Sequence, residues 1–203
     1  MKKLCSIGGK AAVFLLTFSL ICLGFYRWKL EPVLCRLARE HTAAAASARI
    51  ETAIEEGIQT GNLPYSRMIL FEKDSAGKIT ALKTDMQQVN LLKTGILREI
   101  NESVLKLGPS ELGIPLGDLI LPEFFGGKGP VFPAKVQTLQ YSRGHFISSF
   151  SQAGINQTLH RLLMEVQLEG TLLVLGNIQN FSAANTVLVA ETVIVGEVPH
   201  SYS

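Results

Sequence analysis

The chain has 203 residues, 47% of them hydrophobic, with 19 basic and 17 acidic side chains and a formal charge of +2. That length accommodates an anchor and one or two small domains, and it argues against a single large enzyme. Five basic residues (Lys2, Lys3, Lys10, Arg27 and Lys29) stand in the first 30 with no acid, leaving 14 bases against 17 acids, net −3, for the rest; such a remainder has no basic stripe for nucleic acid.

Residues 11–26 carry no charge and are bracketed by Lys10 and Arg27. As a helix they span roughly 24 Å; the two flanking cations can reach the headgroups and Tyr26 and Trp28 suit an interface, so one transmembrane pass is expected. A cleaved signal peptide shares the basic start and apolar middle, but it needs a small-x-small site, and none stands between Gly24 and Leu34. Residues 1–30 are therefore read as an uncleaved anchor. The three leading lysines place its N-terminus inside and the bulk of the chain outside the cytoplasm. Cys5, Cys22 and Cys35 are the only cysteines, which excludes a disulfide framework or a cysteine-based metal site further on. Cys22 follows Leu20-Ile21 and lacks the small residues that precede a lipidated cysteine.

Residues 31–61 read as a long alanine-rich helix. Pro32 suits its first turn, the alanines of 43–48 favour helix, and Gly61-Asn62 stops it. Leu34, Leu37, Ala38, Ala45, Ala48, Ile50, Ile54 and Ile58 form its apolar stripe, while Glu51, Glu55 and Glu56 face water. Its role is a stalk or a packing element. Residues 62–120 form an α+β module: strands at 67–72 and 78–84 turn through Asp74-Ser75-Ala76-Gly77, and Asp85 caps a helix from 86 to about 107. Val89, Leu92, Ile96, Ile100, Val104 and Leu107 give that helix one apolar face. With a short strand at 114–117, the order helix, strand, strand, helix, strand fits a small open-faced sandwich. This order is similar to that of the ring-building modules of some sporulation channel proteins.

A Gly/Pro-rich segment at 121–133, with Phe124, Phe125 and Lys128, is expected as an exposed contact loop between the halves. It is no phosphate loop, since Gly129 stands where a hydroxyl is needed. Residues 134–203 are strand-rich, with expected strands at 131–141, 145–150, 158–174 and 187–195 and turns at Ser142-Arg143-Gly144 and around Asn177. The fold class is α+β throughout.

If 156–168 is one strand, Asn156, Thr158 and His160 share a face with Leu162, Met164, Val166 and Leu168. Two roles are open for this polar trio: pairing backbone groups at a strand start, or forming a binding or acid–base cluster. Glu191 lies on an apolar parity among Val187, Val189, Val193 and Val195, so a buried carboxylate there calls for a partner; His160 or Asn156 is the expected one. His41, His145, His160 and His200 have no metal-ligand spacing, and no nucleophile motif is present. Neither metal, cofactor nor catalytic residue is assigned.

The apolar N-terminal segment, G-I-N-Q-T-x-H at 154–160, G-x-G-P at 127–130 and A-E-T-V-I-V-G-E-V-P at 190–199 together make the chain resemble the YunB family of sporulation proteins. The resemblance runs over nearly the whole length. It implies a role in endospore formation, in the membranes of the sporulating cell or forespore, and brings no established chemistry. The expectation is a non-enzymatic, single-pass membrane protein acting through contacts with other envelope proteins of sporulation or with its own copies. The alternative is an envelope hydrolase or ligand-binding module built on Asn156, His160 and Glu191. It requires those three side chains to converge in a reachable pocket.

Overall fold

The computed structural model describes residues 14–21, 24, 26–60, 65–75, 77, 79–120, 122–154 and 157–195. Residues 14–21 are helical and exposed, and other parts of the expected anchor lie outside the described residues. Among the described residues, no helix is long and apolar enough to cross a membrane.

A π-helical turn, Tyr26–Leu30, leads directly into helix α1, Glu31–Gln59, with Pro32 in its first turn where a missing N–H costs nothing. Its buried side is mostly small: Ala38, Thr42, Ala46, Ala53 and Gly57 alternate with Leu34, Ile50 and Ile54. Small side chains bring the helix axis close to its neighbours, and Thr42 satisfies its hydroxyl by donating to the Ala38 carbonyl at 2.7 Å. Of the two roles open for this helix, packing is the one found. It lies along a sheet and against a second helix, and Ala46 is buried where Ala48 was expected. Glu51, Glu55 and Glu56 are exposed as expected.

After a single helical turn, α2 (Tyr65–Met68), strands β1 (Ile69–Lys73) and β2 (Ile79–Thr84) pair as an antiparallel hairpin. Its turn is closed by Gly77 N–H donating to the Asp74 carbonyl at 3.0 Å, with Gly77 at φ +82°. Asp85 then caps helix α3 (Met86–Leu105), accepting from Gln87 and Gln88 N–H at 3.0 and 3.1 Å. Val89, Ile96, Ile100 and Val104 form the buried face that the periodicity predicts. Pro109 does more than end this element: it opens a further turn, α4 (Pro109–Leu112), held to α1 by Arg49 and Glu111.

The expected strand at 114–117 divides. Strand β3 (Ile114–Pro115) pairs with β4 (Val131–Phe132), while residues from Leu116 on form α5 (Leu116–Ile120), followed by α6 (Pro122–Phe125). The Gly/Pro segment is thus pinned and not a free loop. Gly117 N–H donates to the Lys128 carbonyl at 3.0 Å, Leu116 N–H to that of Pro130 at 2.9 Å, and Asp118 accepts from Gly127 N–H at 2.7 Å.

Three long strands complete the chain: β5 (Ala134–Gly154), β6 (Gln157–Val174) and β7 (Asn177–Val195), an antiparallel meander with β6 in the middle. The expected turn at Ser142-Arg143-Gly144 does not form, and β5 runs straight through it. Gly144 marks a close approach: a Cβ there would stand 3.2 Å from Leu97 Cδ2 of α3 and 3.3 Å from Met164 Cε. Strand β7 also begins ten residues before the expected 187, because its first half is polar and reads as loop.

Helices α1 and α3 cover one face of this sheet, α1 over β7 and α3 over β5. Leu162, Met164, Val166, Leu168, Leu172 and Val174 point into one core shared with Leu34, Ile50, Ile54, Ile100 and Val104. The α+β module and the strand-rich half therefore bury a common interior. The opposite face of the sheet carries Leu159, Arg161, Leu163, Glu165, Gln167 and Glu169 of β6 and has no element over it among the described residues.

Candidate functional site

His160 enters the core from β6 with 1% of its surface exposed. Strand parity places it there, two residues before Leu162 on the helix-covered face. Its register partners are Phe150 on β5 and Thr192 on β7. The Phe150 ring stacks on the imidazole at 4.5 Å between centroids, and Tyr65 from α2 meets it at a tilt at 5.7 Å. Both ring nitrogens are engaged: Nδ1 with Tyr65 Oη at 2.7 Å, and Nε2 with Ser148 Oγ at 2.6 Å. Tyr65 bonds Thr192 in turn. The result is a chain, Ser148 to His160 to Tyr65 to Thr192, that ties both flanking strands and α2 to the central strand.

The electrostatics favour a neutral chain. Burial pushes the His160 imidazole below its ordinary value of 6.5, because the cation loses its hydration. Burial raises the Tyr65 phenol, with the Thr192 hydrogen bond pulling weakly the other way. A neutral imidazole has one donor and one acceptor nitrogen, and two hydroxyls satisfy both. Ser148 is exposed and lines a mostly apolar groove of about 280 Å³ with Thr84, Met86, Lys93 and His145. A hydroxyl backed by an imidazole has the outline of a nucleophile and its base. Here the imidazole is backed by a phenol where a triad has a carboxylate, so a proton taken from Ser148 would leave a buried cation without a counter-charge. The arrangement is built to clamp.

Among the described residues, the expected partner Glu191 does not meet His160. Glu191 is on the other face of the sheet, exposed, with its carboxylate 2.6 Å from Arg161 Nε of the neighbouring strand. The cause is a bulge. Leu162 pairs with Ala190 and Leu163 with Leu188, so Val189 is an extra residue in β7 and the parity flips beyond it. Val187 points inward, but Glu191, Val193 and Val195 point outward, and Thr192 takes the inward place beside His160. Thr158 is exposed near the β5–β6 turn, paired with Gln152 and Ile194, and Asn156 lies outside the described residues. Phe124 and Phe125 are 72% and 52% exposed, and Lys128 is exposed beside them, far in sequence from the cluster. Among the described residues, no group of three His, Cys, Asp or Glu side chains is placed to hold a metal ion.

Tyr65, Ser148, Phe150 and Thr192 were not identified from sequence. The alternation Phe146, Ser148, Phe150 on one strand carried a usable signal once the pairing of Gly154 with Gln157 fixed the register against His160. Tyr65, 95 residues upstream of His160, carried none.

A long antiparallel meander with two helices on one face and the other face open defines an α+β domain. Its last part, residues 111–201, matches the family model described as sporulation protein YunB (Spo_YunB). No curated protein and no solved structure matches the chain. The match contains His160, Ser148, Phe150, Thr192 and all three long strands, whereas Tyr65 and α1 precede it.

Proposed function

We propose that this protein serves spore formation as a single-pass membrane protein, acting without catalysis through contacts made by its extracytoplasmic domain with other envelope proteins of the sporulating cell or forespore. The observation that carries this reading is the uncovered sheet face. Ile147, Leu163 and Leu188 are in register across all three strands and form an apolar row, with Leu159 and Val193 making a second. Polar pairs frame them: the ion pair of Arg161 with Glu191 between the rows, and His145 with Glu165, 3.2 Å apart, on the far side. Apolar rows set among polar pairs suit a protein partner, the apolar part supplying affinity and the polar groups register. Homo-oligomerisation through the same surface is the version closest to the ring-building order of elements.

A photoreactive residue at position 147 or 188, introduced in sporulating cells, tests this directly. Capture of a defined protein neighbour, absent when the residue is placed at Glu51 on the exposed side of α1, is the expected result. Equal labelling from both faces, or none from the sheet, refutes it. The mass of the captured species separates a second copy from another protein.

A further inference from the structure

We propose that the groove between the start of α1 and the β6–β7 turn binds the phosphate of an anionic phospholipid headgroup. The inference rests on the membrane-anchor reading and adds a ligand to it. The groove, about 510 Å³, is lined by Arg27, Arg36 and Arg39 on one side and Asn177 and Gln179 on the other. Its carboxylate, Glu31, is already committed: Oε1 accepts from Asn177 Nδ2 at 2.8 Å and Oε2 lies 3.7 Å from Arg27. Arg36 and Arg39 make no ion pair among the described residues, although Glu40 and Glu169 line the next groove along, which shares Arg39. Three guanidiniums against one occupied carboxylate leave a local excess of positive charge. Guanidinium forks match phosphate oxygens, and the amides of Asn177 and Gln179 add neutral donors.

What makes the phosphate a lipid's is the surrounding surface. At this same end of the fold, Trp28 is 84% exposed and Ile178 60%, with Val33 and Leu175 also exposed. A basic groove with apolar side chains around it, entered directly from the uncharged segment at 11–26, is how a chain settles at a bilayer surface. The β6–β7 turn, with Leu175 at φ +49° and Gly176 at φ +81°, brings the sheet down to the same level, and the Asn177–Glu31 hydrogen bond locks it to the helix.

Trp28 is the only tryptophan in the chain and stands next to Arg27, so it reports on the groove. The full-length protein is placed in nanodiscs of phosphatidylcholine containing phosphatidylglycerol, with bromine on the acyl chains of one lipid or the other, and quenching of Trp28 is compared. The expected result is phosphatidylglycerol enriched around Trp28 by about fivefold over its share of the disc, falling to that share in an Arg36→Gln/Arg39→Gln variant. Quenching in proportion to bulk composition in the wild type, or unchanged enrichment in the variant, overturns the proposal. A saturable Trp28 response to inorganic phosphate in detergent without lipid preference in discs assigns a free anion and also overturns it. Failure to enter discs of either composition overturns the anchor reading, and the headgroup site with it. Circular dichroism of the variant matching that of the wild type establishes that loss of enrichment is not loss of fold.

Discussion

Replacing His160 by alanine removes a buried side chain that joins β5 and β6 to α2. The ring is almost wholly inaccessible, stacked on Phe150 at 4.5 Å and in contact with Tyr65. Truncating a buried ring costs about 3–5 kcal/mol for phenylalanine, and the smaller imidazole puts the packing loss nearer 2. Its two hydrogen bonds, at 2.6 and 2.7 Å, add about 1 kcal/mol together, not each, because exposed Ser148 re-bonds to water and Tyr65 keeps Thr192. The sum is about 3 kcal/mol, or about 6–12 °C in Tm for a domain of this size. Thermal unfolding of the full-length protein in mild detergent, followed by circular dichroism, reads it. A His160→Ala protein melting within about 2 °C of wild type would show that the cluster does not clamp the sheet. If the variant retains its stability and instead loses capture of a partner, the ligand-binding role left open by the sequence is the better account.

Three further outcomes follow from the same packing. Because burial lowers the folded-state value of His160 below 6.5, the unfolded chain binds the proton more readily; the His160 contribution is complete above about pH 6.5 and is lost as pH falls toward the folded value, so Tm should drop on acidification to pH 5 less steeply in His160→Phe than in wild type. Gly170→Ala places a Cβ 2.6 Å from the Thr138 carbonyl oxygen and 2.8 Å from Phe181 Cε1, forcing a shift in paired strands that costs about 1–3 kcal/mol in urea unfolding; an unchanged midpoint would mean the sheet yields there freely. Glu191→Gln breaks an exposed ion pair and should change stability by under about 1 kcal/mol, whereas a loss comparable to His160→Ala would return Glu191 to the interior.

Much of this fold is legible from local chemistry. The apolar periodicity of α3 and its Asp85 cap, the proline-opened start of α1 and the even-numbered core face of β6 follow from residues within one or two turns or pleats of each other. The misreadings share a cause: residues whose meaning depends on a neighbour distant in sequence. Gly144 reads as a turn and is the point where Leu97 of α3 meets the sheet. Glu191 reads as buried because strict alternation is assumed, and a single extra residue, Val189, reverses it; nothing in the run Val187-Leu188-Val189-Ala190 marks which residue will bulge. The site was half visible. His160 is identified by parity, but its phenol partner comes from a short helix on the far side of α3 in sequence, and no spacing rule connects the two.

The meander also sets a distance. Strand β6 runs 18 residues without a break from the β5–β6 turn to the β6–β7 turn, about 55–60 Å of extended chain. The two ends of β6 therefore stand at opposite poles: one is fastened to the start of α1 through Asn177 and Glu31, and at the other, beyond the Phe150–His160 stack, Gln157 and Thr158 are exposed. A molecule gripped at the first pole offers its second pole at a fixed reach. Changing the register or number of residues in the strands would alter that reach while leaving both ends chemically intact, making the protein's length a property open to selection in its own right.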